Sequence, residues 1–227
     1  MRQRVSRLCG VILVLWFGTC DHGAVAAGPQ RAHPPPPAGR GEATYRGGLV
    51  TPPLPKPTFA LTDTSGAPFD FWLETQRYVT LLFFGYTHCP DECPLHMANI
   101  ARSLQTIPTE VGDHVKVVFV TTDPARDTPT VLRAWLDHFD RRFIGLTGSE
   151  AAIAAAQRAA HIPPASKTVR ANQAYEVGHA SLVLAYTKDN LAHLIYPGGV
   201  TAMDWAHDLP CLLKEDWSPW PKASSPR

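Results

Sequence analysis

The stretch from Tyr78 to Thr87, YVTLLFFGYT, constrains the fold more than any other part of the chain. It is uncharged and rich in β-formers, and it offers no polar face at either the helical or the strand period. Such a segment reads as a strand buried on both faces. VKVVFVTTD, Val115 to Asp123, repeats that character, so the two form the expected sheet centre. Between them Leu95, Ala98, Ile100, Ala101 and Leu104 recur at helical spacing from Cys93 until Pro108 ends the run, which makes a β-α-β crossover.

Downstream, RDTPTVLRAWLDHF carries a cap at Asp127 or Thr128 and Pro129 in the first turn. Val131, Leu132, Trp135, Leu136 and Phe139 then fall on one helical face. FIGLTG reads as a short strand, Ser149 as the cap of an alanine-rich helix, and HASLVLAYTKDNLAHLIYP as two strands joined at KDN. TAMDWAHDLPCLL reads as a closing helix. The layout β-α-β-α-β-α-β-β-α predicts an α/β fold, a central mixed β-sheet flanked by helices.

A chain of 227 residues suits one sizeable domain. Arg2, Arg4 and Arg7 precede an apolar run from Leu8 to Phe17 that is too short to span a bilayer, so residues 1–27 read as a signal peptide or a membrane anchor. Cleavage is expected near Ala26, with acylation of Cys20 as the alternative. The chain is therefore expected to be exported, to a periplasm or the outer face of an inner membrane. Residues 28–57, rich in Pro, Gly and Ala, read as a linker, residues 58–216 as the folded domain, and residues 217–227 as a flexible tail. A formal charge of +1 without a basic block excludes nucleic acid as a partner.

Export leaves three cysteines, Cys89, Cys93 and Cys211, in an oxidising compartment. Cys211, alone in LPCLLKED, reads as a buried helix residue. Cys89 ends the first central strand and Cys93 opens the helix after it, where open α/β sheets place ligand sites and helix N-termini favour thiolates. Both thiols are expected to ionise. Four residues apart, their Cβ atoms lie about 5 to 6 Å from one another. Small adjustments then allow either a disulfide or one soft metal ion between the sulfurs, and the spacing does not choose among a structural disulfide, a redox couple and a metal clamp.

FFGYTHCPDECP, VVFVTTDPARDTP, FIGLTG and VGHASLVLAY, in this order, resemble the Sco/SenC family of exported copper-handling proteins over about residues 58 to 214. The resemblance implies a thioredoxin-like fold and copper, as Cu(I) or Cu(II), held by Cys89, Cys93 and His179. It also implies a role in building the copper centre of cytochrome c oxidase, so the implied partner is the copper-bearing oxidase subunit or another copper chaperone. The family usually has Asp-His-Ser at the third ligand, where this chain has Gly178-His179-Ala180. The alternative activity is a thiol-disulfide oxidoreductase that cycles Cys89 and Cys93 to keep the target's cysteines reduced. Three intervening residues rather than two, and the lack of proline between Ala165 and Tyr196, favour copper handling over catalysis.

Around the pair, His88, Asp123 and Asp127 are candidates to border the site, with capping and turn formation as the plainer reading of the two aspartates. His96 is expected on the surface and Met203 in the core. His161, His193 and His207 have no cysteine or acidic cluster beside them in the sequence and stay unassigned.

Overall fold

The computed structural model describes residues 45–169, 175–215 and 217. Residues 1–27, with the expected signal or anchor, and all but Trp217 of the expected tail lie outside the described residues. In chain order the elements are β1 (Gly48–Pro55), β2 (Ala60–Asp63), β3 (Pro68–Asp70), α1 (Phe71–Glu74), β4 (Val79–Gly85), α2 (Glu92–Thr106), α3 (Thr109–Gly112) and β5 (Val115–Thr121). They continue with α4 (Pro129–Asp137), β6 (Ile144–Thr147), α5 (Glu150–Ala159), β7 (Ser166–Val169), β8 (Tyr175–Gly178), β9 (Leu182–Tyr186), β10 (Leu191–Pro197) and α6 (Ala202–Lys214).

Eight strands form one sheet in the order β1-β10-β9-β4-β5-β6-β2-β3, while β7 and β8 make a separate hairpin. β4 lies parallel to β5 and antiparallel to β9, so the sheet is mixed and the apolar run stands at its centre. Every residue of β4 is buried. Val79, Leu81 and Phe83 enter a core shared with α2, α4 and α6, and Leu82 and Phe84 enter a second core shared with α1 and α5. Helices on both faces explain why the run shows no alternation.

Two helices open at the caps expected of them, and the closing helix adds a capping box. Thr128 caps α4 by accepting from Val131 N–H, Ser149 caps α5, and Thr201 and Asp204 form a capping box on α6. Asp127, the other candidate cap for α4, is engaged elsewhere.

The sheet begins earlier than expected. The segment read as a linker up to residue 57 contributes β1, an edge strand paired with β10 at Gly48, Leu49, Leu54 and Pro55, with an irregularity between Leu49 and Leu54 where Pro52 and Pro53 fall. Prolines deny donors to one side of a strand, which an edge tolerates, so the composition that suggests a spacer also fits a sheet margin. The β2–β3 hairpin and the β7–β8 hairpin were not expected at all. β7 is exposed along its whole length and has no apolar alternation by which to recognise it. Of the expected tail, Trp217 stacks on the His193 ring at 4.0 Å.

Candidate metal centre

β4 delivers the chain to a turn at the carboxyl edge of the sheet, and α2 leaves from it. Asp91, at the helix N-cap, makes no side-chain capping bond. Instead Cys93 N–H donates to Cys89 Sγ at 3.4 Å, so the first sulfur acts as acceptor for the helix that carries the second. Cys89 N–H is itself held by Tyr86 O at 3.2 Å. Cys93 is fully buried, and its thiol occupies space left open by Gly85: a Cβ there would lie 2.8 Å from Cys93 Sγ.

His179, in the loop between β8 and β9, brings Nε2 to 3.5 Å from Cys93 Sγ across 86 residues of sequence. Its ring packs T-shaped against those of Tyr86 and Phe83, at centroid separations of 5.5 and 6.0 Å. Its Nδ1 lies 3.2 Å from Ala180 O, and donation there leaves the Nε2 lone pair directed at the sulfurs. A backbone carbonyl thus orients the imidazole without the flanking Asp and Ser side chains. One donor atom from each of Cys89, Cys93 and His179 falls within 4.8 Å of the others. Two sulfurs and an imidazole at that spacing form a donor set for one soft ion.

The two thiols do not share one ionisation state. A hydrogen bond from Cys93 lowers the Cys89 pKa to about 4, against the opposing effect of burial, with further help from His179 and the backbone N–H groups of Asp91 and Cys93. The same hydrogen bond, together with burial, pushes Cys93 far above the ordinary thiol range. The expectation that both ionise is therefore corrected: without an ion between them, half-buried Cys89 is the thiolate and Cys93 keeps the shared proton.

Neither aspartate joins the Cys-Cys-His group, and both tie together segments that flank it. Asp127, fully buried, accepts from Thr87 N–H at 2.9 Å, Thr87 Oγ1 at 2.6 Å and Thr121 Oγ1 at 2.6 Å. This ties the turn before Cys89 to the end of β5. Asp123, also fully buried, accepts from Tyr175 OH at 2.8 Å on β8, and pairs with Arg126 and, at 3.3 Å, with Lys167 on β7. Burial would raise its pKa, but the bonds from Arg126, Tyr175 and Lys167 outweigh it and the net shift is downward. Asp123 thereby holds the hairpin that leads to His179. His88 is exposed, its Nδ1 3.0 Å from Thr87 Oγ1 and 3.7 Å from Asp127 Oδ1, and it stands outside the close Cys-Cys-His group. A cleft of about 380 Å³, lined by Tyr86, His88, Pro90, Arg126, Tyr175 and Gly178 among others, opens next to the residues that flank Cys89 and His179.

Three expectations about single residues fail. His96 is buried, with its ring 5.0 Å from that of Phe83, because α2 turns this face toward the sheet. Burial lowers its pKa. Met203 is 83% exposed in the first turn of α6, where Trp205 instead takes the inward position. Cys211 lies on α6 as expected but is only partly buried, its thiol 3.5 Å from His207 O. His161 is exposed at the end of α5, His193 bonds Asp189 at 2.8 Å, and His207 bonds Asp208 at 2.8 Å, so none of them joins the site.

A two-faced mixed sheet with a cysteine pair at the start of the helix after its central strand, and a histidine facing that pair, defines a thioredoxin-like metal-binding protein. The SCO1/SenC family profile matches residues 51–214, and the chain belongs to that family. ScoI of Bradyrhizobium japonicum with copper bound superimposes with a TM-score of 0.63 at 31% identity, over 70% of this chain and 99% of that one. Apo Sco1 of Thermus thermophilus gives 0.67 at 31% identity, over 75% and 98%. Among curated relatives, SenC of Rhodobacter capsulatus is 39% identical over 103 residues, 41% of this chain and 46% of that protein. The SCO2-like protein of Rickettsia felis is 40% identical over 92 residues, 40% of this chain and 44% of that protein. Each of these two curated relatives is thus matched over less than half of its length.

Proposed function

We propose that this protein is an exported copper metallochaperone. It binds one copper ion as cargo through Cys89, Cys93 and His179 and passes it by ligand exchange to the copper-bearing subunit of cytochrome c oxidase or to another copper chaperone. The observation that carries this reading is the convergence of two sulfurs and an imidazole nitrogen within 4.8 Å. Two thiolates and a neutral imidazole suit Cu(I), and the same set accepts Cu(II). Membership of a family whose Bradyrhizobium japonicum representative carries copper supports the choice of ion. The cleft next to the residues that flank Cys89 supports exchange, since an incoming ligand needs access to the ion. Export rests on residues 1–27 of the sequence. Among the described residues no helix is long and apolar enough to cross a membrane.

Anaerobic loading of the reduced protein with Cu(I) tests the reading: one ion per chain is expected, and none in a Cys89→Ser/Cys93→Ser double variant. Stoichiometric copper in that variant would overturn the site. A second activity has its own support in the half-buried Cys89 thiolate with a protonated thiol beside it, the arrangement of a dithiol reductant. Attack on a target disulfide by Cys89, followed by Cys93, would leave Cys89–Cys93 oxidised and the target reduced.

A further inference from the structure

His96 is the buried polar group near the site that none of the roles above employs. It is 2% exposed, on α2 three residues beyond Cys93, and its Nε2 has no hydrogen-bond partner. Interior polar atoms are nearly always paired, so an orphaned imidazole nitrogen beside a donor cluster calls for a ligand. The surroundings say which one. The Phe83 ring takes His96 at 5.0 Å and His179 at 6.0 Å. A Cβ on Gly85 would meet both Cys93 Sγ, at 2.8 Å, and Phe83 Cε1, at 2.9 Å. Cys93, His179 and His96 are therefore grouped about one aromatic side chain. Glu92, one turn before His96 and on the same stripe of α2, contacts Ser181 Oγ at 3.3 Å, two residues beyond His179. That stripe faces the segment that carries the third donor.

We propose that His96 Nε2 is a fourth donor, recruited when the ion at Cys89, Cys93 and His179 is Cu(II). The inference rests on the copper reading above and deepens it. Three donors complete a trigonal Cu(I) site, whereas Cu(II) favours a fourth ligand in a tetragonal arrangement. His96 stands outside the group of atoms within 4.8 Å, so recruitment needs a rotation of its ring and a local adjustment of α2. The orphaned nitrogen gains the partner it lacks, and the site holds both oxidation states without a donor from solvent.

The test counts imidazoles on the ion. The full chain is labelled with ¹⁵N-histidine and loaded with one equivalent of copper(II) sulfate, then compared with His96→Leu and His179→Ala by pulsed electron paramagnetic resonance. The wild type is expected to show two coordinated imidazoles and each variant one. His96→Leu should weaken Cu(II) by at least about tenfold and leave the Cu(I) stoichiometry unchanged. A single imidazole in the wild type, or two in His96→Leu, overturns the proposal. The wild-type count decides alone if His96→Leu does not fold. Failure of the wild type to bind one Cu(I) would instead overturn the copper reading itself, so the two failures are distinguishable.

Discussion

Cys89 and Cys93 are the same side chain with opposite titration because one is half-buried and accepts hydrogen bonds, while the other is buried and donates one. The Cys89 thiolate is expected to persist down to about pH 4. In Cys93→Ala the largest support of that thiolate is gone, so the Cys89 pKa should rise toward the ordinary thiol value of about 8.5. Thiolate absorbance and alkylation rate against pH measure this. An unchanged profile would show that the helix N-terminus, not Cys93, sets the acidity. The pair itself was legible from its spacing, but the division of one proton between the two thiols was not. That division depends on which sulfur the fold buries.

At the scale of elements, the site is a junction of three segments, each held from outside. Gly85 makes room at the end of β4, Asp127 pins the β4–α2 turn to β5, and Asp123 pins the hairpin that precedes His179. Gly85→Ala puts a methyl group 2.8 Å from Cys93 Sγ, so it should displace the thiol and lower Cu(I) affinity although no ligand is removed. Competition against a chromogenic Cu(I) chelator measures the loss, and wild-type affinity in the variant would sink the packing argument. Asp127→Asn replaces a carboxylate that accepts three hydrogen bonds by a group with one acceptor oxygen. It should cost roughly 1 to 3 kcal/mol in unfolding free energy. Denaturant titration measures that cost, and a neutral result would mean that the three donors find water. The sequence placed both aspartates near the site and left their roles open, since neither the bond to Thr87 nor that to Tyr175 is local.

Across the whole molecule, the mixed sheet sets a chemical edge that carries the site against an opposite edge with a buried lysine. Lys56, just after β1, donates from Nζ to Thr75 O at 2.9 Å and Thr80 Oγ1 at 3.4 Å. Burial lowers its pKa from 10.5 to about 7. In the window between those two values the unfolded chain holds the proton more often than the folded one, so the lysine's contribution makes stability rise with pH. Below the folded pKa both states are protonated and that contribution is flat. The slope for one proton is at most about 1.4 kcal/mol per pH unit. Lys56→Met should abolish it. The difference in unfolding free energy between wild type and variant, followed from about pH 7 to about pH 9.5, isolates this group from the cysteines, which titrate in both proteins. A difference independent of pH would mean that Lys56 keeps its charge when folded.

The sequence alone determined the sheet centre, the crossover helix and the place of the cysteine pair between them, because apolar period and turn chemistry act over a few residues. The motif order resembling the Sco/SenC family pointed to His179. Tertiary structure alone decided that His179 Nε2 lies 3.5 Å from Cys93 Sγ, that Gly48–Pro55 form an edge strand inside a proline-rich stretch, and that His96 is buried while Met203 is exposed. Helical spacing tells which residues share a face but not which face meets the sheet when polar and apolar side chains are mixed on it. That choice is made by partners far away in sequence, and burial, ionisation and donor geometry follow from it.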